Sequence, residues 1–153
     1  MRRTISKSPE ETKKIAGKIV SNLKAGGVIA LFGELGSGKT TFAQGLAEGL
    51  GIKERIISPT FVLVREHRIK NYESRIRKLY HIDLYRVESE SELGSIGFRE
   101  ILSNPENIVV IEWAEKAQEL LPEKRIEVHM EHEGEFQRKL RIIRKLLAIL
   151  RRQ

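Results

Sequence analysis

The sequence predicts an α/β fold of three layers, with a mainly parallel central sheet and antiparallel additions. Three observations carry this. Val28-Ile29-Ala30-Leu31-Phe32 is an unbroken apolar run that passes through a glycine-rich stretch, Gly33–Thr40, into a helical pattern over Thr41–Leu50. Strand, glycine turn and helix in that order open a parallel crossover unit. Ile108-Val109-Val110-Ile111 is a second apolar run, closed by Glu112, and reads as a strand buried on both faces of a parallel sheet. Residues 61–84 and 125–143 each hold two strand-like runs around a turn, which predicts antiparallel additions.

Composition narrows the setting. A chain of 153 residues is expected to form one domain, spanning 1–153, with a proper core. It has no cysteine, so nothing points to a disulfide framework. No apolar run approaches a membrane span or a signal peptide, so a soluble cytoplasmic protein is expected. The net charge of +7 permits a polyanionic partner.

The elements follow in order. Ser8-Pro9-Glu10-Glu11 is a capping box with proline in the first turn, and predicts a helix over residues 8–25. Ile15, Ile19 and Leu23 form its apolar stripe, and Gly26-Gly27 ends it. Its start lies close to the glycine loop, which makes Thr12 a candidate contact for a base. Ile56-Ile57 reads as a short strand, after which Ser58-Pro59 presents Thr60 at the start of the next. Val62–Ile69 and Ile76–Leu84 pair as a hairpin whose residues 65–78 are strongly basic, a docking surface for RNA or an acidic partner. Residues 88–103 form two short helices broken around Gly94–Gly97. Trp113, the only tryptophan, packs beside the site or in the core. Ala114–Leu121 is a short helix stopped by Pro122. Arg125–Glu131 alternates as a half-exposed strand, and Arg138–Ile143 returns beside it. The tail, Arg144–Arg152, reads as a basic amphipathic helix with Leu146, Leu147 and Leu150 inward. His129 and His132 read as surface residues, not metal ligands.

The chemistry lies at Gly33-Glu34-Leu35-Gly36-Ser37-Gly38-Lys39-Thr40, which fits G-x-x-x-x-G-K-[ST]. Such a loop turns successive backbone N–H groups inward to cradle phosphate, and the following helix aims its positive end at the same anion. Lys39 supplies charge for the β- and γ-phosphates, and the Thr40 hydroxyl suits Mg²⁺. The three-layer fold is thus of the P-loop NTPase kind. A P-loop nucleotidase also needs an acid at the end of a strand beside the loop strand. Two strands compete: Leu79–Asp83 and Ile108–Glu112. Asp83 is the only aspartate in the chain, which suggests that its shorter side chain matters. No N-K-x-D guanine motif exists, so ATP is favoured over GTP.

Four segments now stand together: Gly33–Thr41, Ser58-Pro59-Thr60-Phe61, Tyr80-His81-Ile82-Asp83-Leu84-Tyr85-Arg86 and Ile111-Glu112-Trp113. In this order they resemble the TsaE family of small bacterial P-loop ATPases, required for threonylcarbamoyladenosine (t⁶A) modification of tRNA. The resemblance runs from Thr12 to about Arg141, and Gly134–Arg141 matches only loosely. It implies ATP and Mg²⁺ as cofactors and TsaB and TsaD as partners. It also implies nucleotide contacts from Thr12, Gly36, Ser37, Gly38, Lys39, Thr40, Thr41, Thr60, Asp83 and Arg138. Thr40 and Glu112 would hold the metal, while Asp83 and Lys39 would serve catalysis. Thr60 would lie in a switch I-like motif and Asp83 in a switch II-like one. No arginine stands out as a finger for the transition state, and Arg86 lies near Asp83. Two other classes share features of this sequence: a small-molecule P-loop kinase, and a nucleotide-gated RNA-binding module.

Overall fold

The computed structural model describes residues 1–59, 62–71 and 73–146. Its chain order is β1 (Arg2–Ser6), α1 (Pro9–Ser21), β2 (Gly27–Phe32), α2 (Lys39–Gly49), β3 (Val64–Arg68), β4 (Lys78–Asp83), α3 (Glu90–Ser95), α4 (Phe98–Ser103), β5 (Asn107–Glu112), a 3₁₀ helix (Ala114–Leu120), β6 (Arg125–His132) and β7 (Arg138–Lys145). The seven strands form one sheet in the order β1-β7-β6-β2-β5-β4-β3.

The centre is parallel. β2 pairs with β5 on one side and β6 on the other, and β4 extends the parallel set beyond β5. β3, β7 and β1 are antiparallel additions. Residues 61–84 and 125–143 therefore each contribute one parallel and one antiparallel strand, rather than antiparallel strands alone. β6 lies between β2 and β7, and its exposed residues, Glu131 and His132, are confined to its C-terminal end rather than alternating along it.

Two apolar layers close the sheet. On one face Ile29, Leu31, Leu79 and Val110 pack against Ala16, Val20, Phe42 and Leu46 of α1 and α2. On the other, Val28, Ala30, Ile82, Val109 and Ile111 pack against Leu93, Phe98, Ala114 and Leu121. α1 starts where its cap predicts: the Ser8 hydroxyl accepts the Glu11 N–H at 3.1 Å. It ends at Ser21, capped by Asn22, short of the expected residue 25. α1 and α2 touch through Gly45, where a Cβ would lie 2.5 Å from the Lys13 Cα. Only glycine lets the helices approach this closely.

Other expectations fail for identifiable reasons. Ile56-Ile57 forms no strand; the Ile56 side chain is buried and its carbonyl accepts from Gln44 Nε2 at 2.9 Å, while Ile57 is exposed, so only one of the pair serves the core. β1 carries no apolar signal, because Ile5 faces solvent and its inward side chain is Ser6. Arg144 and Lys145 belong to β7, not to a helix; the inward Leu140 and Ile142 continue strand alternation. Residues 147–153, with Leu147 and Leu150, and Thr60 lie outside the described residues. The hairpin pairs as expected, over the shorter ranges of β3 and β4. Among the described residues no helix is long and apolar enough to cross a membrane.

Candidate active site

The loop Gly33–Thr40 joins the C-terminal end of β2 to the N-terminus of α2. Gly33 has φ of 155°, and a Cβ there would lie 2.5 Å from both the Met130 carbonyl and Ser37 Oγ. Gly38, with φ of 101°, hands the chain into the helix. Lys39 folds back into the loop. Its ammonium donates to the Gly33 carbonyl, to the Glu34 carbonyl at 2.8 Å and to Ser37 Oγ at 3.4 Å. It also sits 4.1 Å from the centre of the Trp113 ring. Burial pushes this ammonium below the usual lysine range, and Glu112, Glu115, Asp83 and Glu34 pull it partly back.

Trp113 has a positive φ, 58°, uncommon for an aromatic residue, and its ring meets that of Tyr85 at 5.2 Å. This turn directs the indole towards Lys39. Both placements open to Trp113 are met: the ring lies beside the loop lysine and also packs, partly buried, against the apolar layer of Ile82, Ile111 and Ala114.

The two strand-end acids are adjacent in register, Asp83 opposite Glu112, and Glu112 opposite Leu31 of the loop strand. Glu112 is therefore on the strand next to β2 and Asp83 one strand further out. Both are buried. The Thr40 hydroxyl donates to Glu112 Oε1 at 2.8 Å, and His81 Nε2 lies 2.5 Å from Glu112 Oε2. Asp83 Oδ2 accepts the Ser58 hydroxyl at 2.9 Å, and Oδ1 accepts the Tyr85 N–H at 2.9 Å. That second bond, to the backbone two residues on, is an Asx-type turn. A glutamate carries one methylene too many to make it, which gives a local reason for the single aspartate.

The remaining predicted residues divide. Ser37 is buried against Gly33, and Thr41 is half-buried in the first turn of α2. Arg138, at the start of β7, reaches the back of the loop: a Cβ on Gly38 would lie 3.7 Å from its Nε. Its Nη1 donates to the Glu135 and Gln137 carbonyls. Thr12 is buried, and its hydroxyl lies 2.6 Å from Ser6 Oγ, so it is tied to the end of β1. Three residues reach this region without a role of their own assigned from the sequence: His81, Ser58 and His132. His132 Nε2 would lie 3.1 Å from a Cβ on Gly36, so this histidine leans on the loop although it is exposed. His129 is also no plain surface residue. It stacks on Phe32 with centroids 4.5 Å apart and bonds Glu127 at 3.1 Å. Among the described residues no group of three or more His, Cys, Asp or Glu could hold a metal ion by itself.

A cleft of about 440 Å³ opens beside the loop, between Phe32, Glu34, Ser37, His132 and Arg141. Another, about 480 Å³, lies at the opposite end of the strands, near Gly26, Pro105 and Lys124, far from these groups. The chemistry therefore belongs to the loop end of the sheet, where parallel α/β sheets bind their ligands.

A parallel sheet with a glycine phosphate-loop between its central strand and α2, and an acid on the next strand, defines a P-loop α/β protein. Residues 6–140 match the model of the family described as threonylcarbamoyl adenosine biosynthesis protein TsaE. The chain is 40% identical over 133 residues to the tRNA threonylcarbamoyladenosine biosynthesis protein TsaE of Bacillus subtilis, covering 87% of this chain and 79% of that one. It is 38% identical over 140 residues to the protein of that name in Rickettsia felis, covering 91% and 78%. A crystal structure of Bacillus subtilis YdiB superimposes with a TM-score of 0.73 at 32% identity, covering 95% of this chain and 86% of that one. The chain belongs to the TsaE family, whose proteins act in tRNA t⁶A biosynthesis.

Proposed function

We propose that this chain is a cytoplasmic ATP-hydrolysing subunit that acts on a TsaB–TsaD pair during t⁶A modification of adenosine 37 in tRNAs reading ANN codons. One observation carries the reading: Lys39, Thr40 and Glu112 converge on one glycine loop, with the Thr40 hydroxyl 2.8 Å from the Glu112 carboxylate.

The residues fit ATP with Mg²⁺. Lys39 spends its donors on loop oxygens, the Gly33 and Glu34 carbonyls and Ser37 Oγ, which stand where phosphate oxygens would compete for them. Thr40 and Glu112 offer two hard oxygen ligands, the sparse protein set that suits Mg²⁺ sharing its shell with phosphates and water. When bound, the ion would neutralise charge on the β- and γ-phosphates.

The chain's own groups then have distinct tasks. The loop amides and Lys39 hold the phosphates and stabilise charge that grows on the γ-phosphoryl group. Asp83 orients the attacking water for in-line displacement; its carboxylate is buried at the end of β4, beside Glu112 in register, and accepts bonds from Ser58 and the Tyr85 N–H. The resemblance supports a service role for hydrolysis, resetting the TsaB–TsaD pair between turnovers, with the transfer to tRNA performed by TsaD. Reconstituted t⁶A synthesis with TsaB, TsaD, tRNA, ATP and a supplied threonylcarbamoyl-adenylate donor tests this. The expected result is multiple turnovers with the unaltered chain and loss of them with Lys39→Ala. Equal t⁶A yield without the chain, or phosphate passed to a small acceptor instead of water, would overturn it.

A further inference from the structure

His81 has no part in the reading above, and its setting is unusual. It lies in β4 between Tyr80 and Ile82, fully buried. Its register partners are Val110 on β5 and Arg65 on β3. It shares a strand face with Asp83, two residues on, beneath the loop side of the sheet. Its Nε2 lies 2.5 Å from Glu112 Oε2, while its Nδ1 is buried and, among the described residues, has no hydrogen-bond partner. A ring nitrogen buried without a partner costs stability, so packing alone would favour an apolar side chain here.

What the histidine does for Glu112 explains the exception. The carboxylate has two oxygens and two partners, one each: Oε2 faces His81 and Oε1 faces Thr40. A glutamate carries three side-chain torsions, and a single contact would leave the carboxylate free to turn. With Oε2 fixed from behind, Oε1 has one direction left, towards the loop hydroxyl. Mg²⁺ demands near-ideal octahedral geometry, so a ligand that is already aimed matters more for it than for a softer ion. Groups that orient a metal-binding side chain from behind commonly change metal affinity 10–100-fold when removed.

We propose that His81 is a positioning residue that aims Glu112 at the Thr40 hydroxyl and so sets the Mg²⁺ dependence of nucleotide binding. This rests on the ATP·Mg²⁺ reading of the loop. His81 touches neither nucleotide nor water; it acts through Glu112.

The test is calorimetric binding of a non-hydrolysable ATP analogue with and without Mg²⁺, for the unaltered chain, His81→Leu and His81→Gln. The unaltered chain gains affinity when Mg²⁺ is added. His81→Leu keeps its metal-free affinity within about twofold but loses about tenfold or more of the Mg²⁺ gain. His81→Gln, whose amide N–H reaches close to the Nε2 position, recovers most of it. A full Mg²⁺ gain in His81→Leu, or equal losses in the two variants, would overturn the inference and leave the ATP reading standing. No Mg²⁺ gain in the unaltered chain would overturn both. Imidazole NMR of the unaltered chain needs no variant to fold. The His81 Nε2–H resonance should stand far downfield and move when Mg²⁺ is added to analogue-saturated protein. A resonance that stays in place contradicts the proposal.

Discussion

Glu112 and Glu127 are both buried, in the two strands that flank the loop strand β2, and they are held in opposite ways. Glu127 faces two cations and an imidazole: Arg125 at 2.8 Å, Lys145 at 3.2 Å and His129 at 3.1 Å. Burial pushes its carboxyl up, but the bonds from His129, Arg125 and Lys145 outweigh this and hold it below the usual carboxylate range. Glu112 has a hydroxyl and an imidazole instead, and Lys39, which feels its charge, is held by the loop. The difference separates roles. A carboxylate compensated by fixed cations is finished as a structural element. One left facing a hydroxyl and a phosphate loop retains capacity for a metal. Asp83, beside Glu112 in register, accepts bonds from the Ser58 hydroxyl and the Tyr85 N–H.

Substitutions should reproduce this contrast. Glu112→Gln is expected to lower ATP turnover about 10³-fold, the scale of losing one preorganised charge-stabilising group, with a small change in melting temperature. Asp83→Asn should cost about 10²-fold in turnover while nucleotide affinity by calorimetry stays within about twofold. If Asp83→Asn turns over normally, Asp83 has no part in the chemistry. Glu127→Gln should do the reverse: turnover within about threefold, and a stability loss of about 1–3 kcal/mol at pH 7 in denaturant unfolding. The sign with pH follows from its lowered folded-state pKa. The Glu127 contribution is complete above 4.5 and disappears as the pH falls through the folded value, so the two proteins should converge in acid. Stability curves that stay parallel down to acid pH would contradict the ion-pair account of Glu127. The smallest effect belongs to Ser58→Ala, which removes one bond to Asp83: roughly threefold in turnover, with binding unchanged.

Much of this was readable from local pattern. The cap at Ser8, the apolar runs of β2 and β5 and the glycine loop each carry their signal within a few residues. What was hidden depends on pairing across the sheet. That β6 lies parallel to β2 follows from the whole topology, and β1 presents a serine where an apolar signal was needed. Which of Asp83 and Glu112 ends the strand beside the loop strand depends on strand order, which the chain does not print locally: β5, not β4, lies against β2. His81 was read only as part of a motif, and its contact with Glu112 joins residues 31 positions apart. Thr40 and Glu112, 72 positions apart, were legible as a pair only through the family resemblance, since the glycine-loop pattern asks for an acid partner without saying which.

The measurement that most directly tests the central claim is steady-state phosphate release from ATP with Mg²⁺, by this chain alone and with TsaB and TsaD added. The account predicts slow release alone, abolished by Lys39→Ala, and at least ~10-fold faster release in the assembly, where a partner can supply the stabilisation that an arginine finger gives other P-loop proteins. No release under either condition, or the same rate in both, would contradict it.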